Sequence, residues 1–278
     1  METGQKTTDD PRTLEQLRHH YNVEKELATR LRNSTQAERS VLFGKLYNEL
    51  FERVPDHPRV VRRDTPELSQ KSISARMNLL RPVLFPEATF LEFAPGDCRL
   101  IEAVCPLVKK AIAVDISDQR EEGAAPKNFE LVIYDGYTLN LPAESVDILF
   151  SYQFLEHLHP DDVAGHFEMA FRLLKKGGVY VFATPHRLSG PHDISRHFSD
   201  TPECFHLKEW TYREMFQVLK SAGFSSASTY RFGKLRKSSL FTSLTFAVEA
   251  FCELLPSRKL QRRATARIFE SVTMAAYK

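Results

Sequence analysis

From residue 13 to about 54, apolar positions recur at three- and four-residue steps. Leu14, Leu17, Tyr21, Leu27 and Leu31 form one stripe, and Val41, Leu42, Leu46, Tyr47, Leu50 and Phe51 a second. That is the helical period, so two amphipathic helices are predicted. The prolines of "VPDHP" (54–58) stop the second. A third helix is expected over about 67–81, carrying Ile73, Met77 and Leu80 and ending before Pro82. After Pro86 short apolar runs alternate with helical segments. The runs "TFLEFA" (89–94), "KAIAVDI" (110–116), "FELVIYD" (129–135), "SVDILFSY" (145–152) and "GVYVFATP" (178–185) read as buried strands. "CRLIEAVCPLVK", "PDDVAGHFEMAFRLLKK" and "LKEWTYREMFQVLKSAGF" have helical spacing. The second opens on Asp161 and Asp162, closes on Lys175 and Lys176, and stops at Gly177-Gly178, as a helix dipole favours. Such alternation predicts an α/β fold: a doubly wound, mostly parallel sheet with helices on both faces. The chain divides into an N-terminal helical extension over 1–85 and a second unit over 86–278.

Composition narrows the function classes. Hydrophobic content is 42%, charged content 27% and net charge +2, an ordinary globular balance that makes no case for nucleic acid. The basic runs "RVVRR" (59–63) and "RKLQRR" (258–263) read as solvated faces. Cys98, Cys105, Cys204 and Cys252 are too scattered for a disulfide framework, and no CxxC pair suggests zinc. The polar N-terminus, residues 1–12, carries no signal pattern, and no run of about 18 apolar residues is present. A cytoplasmic protein without a transmembrane segment is expected.

In an open α/β sheet ligands bind beyond the carboxyl ends of the strands. The first run ends at Glu92 and turns through "APGD", where backbone N–H groups and a helix start can face a ligand; Gly96 permits close approach. The second ends at Asp115, about twenty residues on, placed to accept both hydroxyls of a ribose. The third ends in "YDGY", with Asp135 able to accept from an exocyclic amine. A dinucleotide fingerprint needs G-x-G-x-x-G, but residues 94–99 read A-P-G-D-C-R, and Asp97 would repel a phosphate.

Taken together, "EFAPGDC", "AVDIS", "YDGYTLNLPAESVDILFSYQFLEHL" and "RLLKKGGVYVFATP" resemble the successive motifs of the class I S-adenosylmethionine-dependent methyltransferases. The resemblance covers roughly 86–230 and returns at the C-terminus. It implies a Rossmann-like methyltransferase fold of seven strands, with S-adenosyl-L-methionine as cofactor. It implies a cofactor site formed by Glu92, Ala94, Pro95, Gly96, Asp115, Ile116, Asp135, Gly136, Ser151 and Tyr152. Asp115 would take the ribose, Asp135 the adenine amine, and the turn and the chain near Ser151 the methionine end. The family usually has glycine where Ala94 and Cys98 stand; alanine is tolerated if its φ stays negative.

The acceptor is expected beyond the fourth and fifth strands, with His157 and His192 as candidate bases. "HRLSGPHDISRHF" (186–198) is read as an acceptor lid, and His206 follows it. H-D-x-x-x-H has no established metal spacing, so no metal is assigned. The fold's closing hairpin maps to "SSASTYRF" (225–232) and "IFESVTMAAY" (268–277), with a helical insertion at about 234–265. The apolar stretch 239–256 is read first as a core or homodimer contact, with peripheral membrane contact as the alternative. The N-terminal helices would cover the mouth of the cofactor site, as family additions do. The expected activity is O-methylation of a small or medium polar acceptor: a sugar, glycolipid precursor or secondary metabolite. A non-catalytic binding or scaffold relative is the alternative.

Overall fold

A computed structural model describes residues 10–61, 66–120, 125–231 and 233–278. Residues 1–9, Arg62 and Arg63 of the first basic run, and Phe232 of the expected hairpin lie outside them. The chain opens with α1 (Leu14–Arg32), α2 (Gln36–Arg53), the short α3 (Pro58–Val61) and α4 (Pro66–Leu80). Thr13 with Gln16 and Thr35 with Glu38 close capping boxes that fix the starts of α1 and α2.

The sheet follows: β1 (Thr89–Phe93), β2 (Lys110–Asp115), β3 (Phe129–Ile133), β4 (Val146–Tyr152) and β5 (Leu174–Pro185), all parallel. The short α5 (Arg99–Val104) follows β1, and α6 (Val163–Leu173) precedes β5. After α7 (Tyr212–Ser221) come β6 (Ser226–Arg231), β7 (Lys234–Arg236), α8 (Ser239–Glu253), α9 (Arg258–Thr265) and β8 (Ser271–Tyr277). Among the described residues the sheet has eight strands, in the order β3-β2-β1-β4-β5-β8-β6-β7. The expected count of seven is corrected by β7, which pairs antiparallel with β6 at the edge and leads into the α8–α9 insertion.

Alternate side chains of the central strands feed two cores. Leu91, Phe93, Leu149, Tyr180 and Phe182 pack beneath α6 and α7 with Phe167, Tyr212 and Met215. Phe90, Ile148, Phe150, Val179 and Val181 pack on the other face with Leu80 of α4 and Leu100, Ile101 and Val104 of α5. Burial on both faces is why these strands read as continuous apolar runs.

Two boundaries and one helix face differ from the sequence reading. Helix α6 ends at Leu173 rather than near Lys176, because Leu174 already pairs with Val146 and Lys175 binds Asp147 at 2.7 Å. Helix α7 starts at Tyr212 rather than near Leu207, capped by Thr211 and Glu214. Helix α8 turns Thr242, Thr245, Glu249 and Cys252 inward and leaves Leu240, Leu244, Phe251 and Leu254 exposed. The reason is Glu249: buried, it accepts from the N–H groups of Tyr212 and Arg213 at 2.7 and 3.0 Å and from His186 at 2.7 Å. No described helix is long and apolar enough to cross a membrane.

Helices α1 and α2 pack on the chain that follows β5. Val23, Leu27, Leu31, Leu46 and Leu50 enclose Phe205 and Leu207. The Phe205 N–H donates to Glu24 Oε1 (3.0 Å), and Arg32 donates to the carbonyls of Glu203 (2.7 Å) and Cys204 (3.0 Å). A buried pair, Arg39–Asp162 (2.6 Å), joins α2 to the turn before α6, with the Tyr137 hydroxyl donating to the same carboxylate at 2.7 Å. Breaking a buried pair strands its partner's charge, whereas exposed pairs contribute little. Arg39→Met should therefore lower unfolding stability by about 3 kcal/mol in chemical denaturation. Arg30→Met, which breaks the exposed pair with Glu49, should lower it by less than about 1 kcal/mol.

Candidate active site

The parallel strands end at one edge of the sheet, and β1 and β4 lie side by side where the chain changes direction. The turn after β1 follows a left-handed path: φ is +51° at Ala94, +60° at Gly96 and +60° at Cys98. The condition under which alanine is easily tolerated there, a negative φ, is not met. Its N–H is held by the Val114 carbonyl at 2.8 Å, and the turn keeps the course that glycine usually supplies. Nothing lies within 4 Å of where a Gly96 side chain would start, so the backbone faces open space there.

Behind the turn, Glu92 is buried, its Oε2 has no hydrogen-bond partner, and burial pushes its pKa up to about 8. Asp115 closes β2 with Oδ1 accepting from the N–H groups of Ile116 (2.7 Å) and Ser117 (3.3 Å). Its Oδ2 has only a long contact, 3.4 Å, from the Gly96 N–H. Burial raises its pKa, while those three N–H groups oppose the rise. Asp135 is exposed just past β3, accepting from Thr138 and Tyr137 N–H groups on Oδ1 (2.6 and 2.8 Å), which lowers its pKa. Ile116 is exposed, Pro95 is buried, and Gly136 has φ +88°. Tyr152 is half-exposed with the Arg76 guanidinium over its ring. Ser151 is fully buried, its hydroxyl bonded to Tyr180, which in turn bonds His166. That hydroxyl points into the core beneath α6, and the main chain at 151 lies in the ladder between β1 and β5.

Beyond β4 and β5 lies a cavity of about 310 Å³, closed on its far side by α1, α2 and α3. Gln153, Glu156 and His157 line it from the β4 loop; His192, Asp193 and His206 do so from the β5 loop. The backbone at Gln153 also has positive φ, +53°, a conformation that side chains adopt at a cost and that clusters at functional sites. Burial holds His157 well below its ordinary pKa and lowers that of His192, so both imidazoles are neutral at pH 7. Arg59 of α3 also lies on the cavity wall.

A family model for a methyltransferase domain matches residues 91–182. A probable S-adenosylmethionine-dependent methyltransferase of Mycolicibacterium smegmatis is 37% identical over 95 residues, 33% of either chain. Residues 91–182 are thus similar to the methyltransferase domain of S-adenosylmethionine-dependent enzymes. The matched stretch spans a third of that curated relative's length. Solved structures of methyltransferases share the fold. The 1,6-didemethyltoxoflavin-N1-methyltransferase of Burkholderia thailandensis aligns over 88% of this chain and 91% of its own, with TM-score 0.54 and 14% identity. A SAM-dependent methyltransferase of Archaeoglobus fulgidus aligns over 75% and 94%, with TM-score 0.51 and 17% identity.

Within this methyltransferase framework the structure brings Glu92, Ala94, Gly96 and Asp115 to one turn, and His157 and His192 to one cavity. His186 lies elsewhere: fully buried, paired with Glu249 and stacked on Phe269. Sequence reasoning missed Glu156, Glu209 and Tyr47. Glu156 is fully buried with Oε1 unpartnered, and Thr184 donates to its Oε2 at 2.9 Å. Glu209 accepts from the His192 N–H (2.6 Å) and from His206 Nδ1 (2.9 Å). A Cβ at position 190 would sit 1.8 Å from Glu209 Oε2, so a side chain there would displace this carboxylate. A glycine directly before a proline, with an acid in the following helix-start segment, was the available signal.

Two outcomes follow for stability. Ala94 is exposed, so Ala94→Gly relieves its left-handed strain without opening a cavity and should raise stability by about 0.5–1 kcal/mol in denaturant. Glu92 shifts upward on folding, so the unfolded chain releases its proton near 4.5 while the folded chain holds it to about 8. Stability attributable to this group is therefore highest below 4.5 and falls as pH rises to about 8. Glu92→Gln should flatten that fall, leaving the ligand-free variant more stable than wild type at pH 8 by thermal melts.

Proposed function

We propose that the chain binds S-adenosyl-L-methionine along Glu92, Ala94, Pro95, Gly96, Asp115, Ile116, Asp135, Gly136, Ser151 and Tyr152. It then methylates an oxygen of a small or medium polar acceptor held in the neighbouring cavity. The residues fit this cofactor. The free Oε2 of Glu92 lies buried behind the turn, the backbone at Gly96 is unobstructed, and Asp115 retains acceptor capacity on Oδ2. An acid at 97 is compatible with a phosphate-free, positively charged ligand. Names of related proteins agree with this reading: the Mycolicibacterium smegmatis relative is S-adenosylmethionine-dependent, and the Burkholderia thailandensis enzyme was solved with S-adenosylhomocysteine.

Bound there, the cofactor supplies an electrophilic methyl group on a sulfonium sulfur. The protein's part is to bring the acceptor atom into line and exclude competing water, which is where much of the rate gain arises. Helices α1 and α2 wall the cavity, and Arg59 and Tyr47 narrow it. His157 and His192, neutral at pH 7, are the groups able to take a proton from a hydroxyl acceptor. The volume, about 310 Å³, and the polar lining suit a sugar, a glycolipid precursor or a secondary metabolite.

The observation that carries the reading is the conjunction of a left-handed turn, a strand-end carboxylate at Asp115 and a polar cavity at one sheet edge. Isothermal calorimetry should detect micromolar binding of S-adenosylmethionine, weakened about 100-fold by Asp115→Ala as two hydroxyl contacts are lost. No heat from folded wild-type protein at millimolar cofactor would refute it.

A further inference from the structure

We propose that Glu156, His157 and His206 form a binding site for a divalent first-row transition-metal ion in the wall of the acceptor cavity. One ligand atom from each of the three lies within 4.8 Å of the others, and the two rings meet edge to face with centroids 5.1 Å apart. The set joins a carboxylate to two imidazoles, the borderline donors that zinc, iron, cobalt and nickel favour.

What singles out this group is how each side chain is held. His157 Nδ1 lies 3.0 Å from the Phe205 carbonyl, which can only accept, so that nitrogen carries the proton and Nε2 keeps its lone pair. His206 Nδ1 lies 2.9 Å from Glu209 Oε1, a carboxylate, with the same consequence for its Nε2. Glu156 takes the Thr184 hydroxyl on Oε2 and leaves Oε1 buried without a partner. Every member thus has one atom fixed by a second group and one lone-pair atom free. Backing a histidine ligand with a carbonyl or carboxylate is the usual way proteins fix its tautomer and orientation at a metal.

Two other clusters of metal-binding residue types line or adjoin the cavity, and both are spent on structure. In His20–Glu24–His57, His20 Nε2 bonds Glu24 Oε2 (2.6 Å) and its Nδ1 accepts from Arg12 (2.9 Å). The other Glu24 oxygen takes the Phe205 N–H. His57 Nδ1 takes the Arg59 N–H (3.1 Å). In Glu24–Asp193–Cys204 the cysteine hydrogen bonds the Tyr21 carbonyl, and burial keeps it a neutral thiol, a poor ligand.

The surroundings favour a cation. Asp193 Oδ2 and Glu209 Oε2 are also buried without partners, adding acceptor atoms around the site. Three protein ligands leave coordination positions open toward the cavity, where an oxygen or nitrogen donor of the acceptor would bind. The ligand class is therefore an acceptor able to chelate or coordinate through a hydroxyl or carboxylate. Within the proposed methyl transfer, His157 then holds the metal and His192 remains to take the proton.

The test uses full-length protein stripped with a chelator and titrated with cobalt(II) alone. About one ion per chain should bind at micromolar or tighter affinity, with ligand-field absorption of imidazole coordination. His206→Ala and Glu156→Gln should each weaken binding at least 100-fold, and Glu209→Gln, which orients His206 without being a ligand, by 10–100-fold. His57→Asn, in the neighbouring cluster, should leave it unchanged. No binding to wild type, or undiminished binding to a folded His206→Ala, would overturn the assignment. Should that variant not fold, X-ray absorption of cobalt-loaded wild type decides. Two imidazole nitrogens that persist in cobalt-loaded His57→Asn support the site; sulfur or oxygen-only coordination, or loss of the imidazoles in His57→Asn, overturns it. Calorimetry with S-adenosylmethionine on the same stripped samples reads the cofactor site separately, so either result stands without the other.

Discussion

The feature on which the rest depends is the reversal of direction between β1 and β4. From β1 the chain builds outward through β2 and β3, then returns to lay β4 along the other side of β1. Both strands run the same way, so their following loops leave from one edge and diverge to opposite flanks. The hydrophobic cores on the two sheet faces make that arrangement obligatory, since Phe90 and Leu91 point to different cores and a slip of one residue would exchange them. What remains for the loops is to stay put. Buried charges do that: Glu24 holds Phe205, Arg39 holds Asp162, and Glu209 holds His192 and His206. Each makes more than one hydrogen bond, which helps make a buried charge tolerable.

The sheet was legible because strands buried on both faces write uninterrupted apolar runs, and the acids ending them stand where ligands meet such a sheet. Helix ends were less legible. Lys175 and Lys176 look like the last turn of a helix, but Leu174 has already joined the ladder beside Val146. In α8 the apolar residues suggested a buried face, whereas the capping demand of Tyr212 and Arg213 turned Glu249 inward. The turn itself was half legible. Its missing glycines were visible, but their φ angles were not, because contacts distant in sequence, such as the Ala94 N–H to the Val114 carbonyl, accompany them. The acceptor side was the least legible part. Glu156 and His206 are fifty residues apart, and Glu209 acts through a loop whose path no local pattern announces.

Unfavourable local features gather at this same edge. Ala94, Cys98 and Gln153 hold left-handed backbone there, and Glu92 and Glu156 are carboxyls whose pKa values burial pushes up to about 8 and about 7. Elsewhere capping, patterning and packing agree with one another. A concentration of such disagreements between local preference and global fold in one crevice is the mark of a site under functional demand. It also explains why the two substituted glycine positions do not abolish the turn: the strain of about 1–2 kcal/mol at each is small beside the cores that enforce it.

The account's central claim is that the turn at 94–98 and the polar cavity beyond Gln153 are two halves of one site. A crystal structure of the full chain with S-adenosylhomocysteine tests it most directly. The ribose should lie against Asp115, the adenine near Asp135, and the sulfur should point into the cavity lined by Glu156, His157 and His192. A ligand bound away from the turn, or one whose sulfur faces away from that cavity, would contradict it.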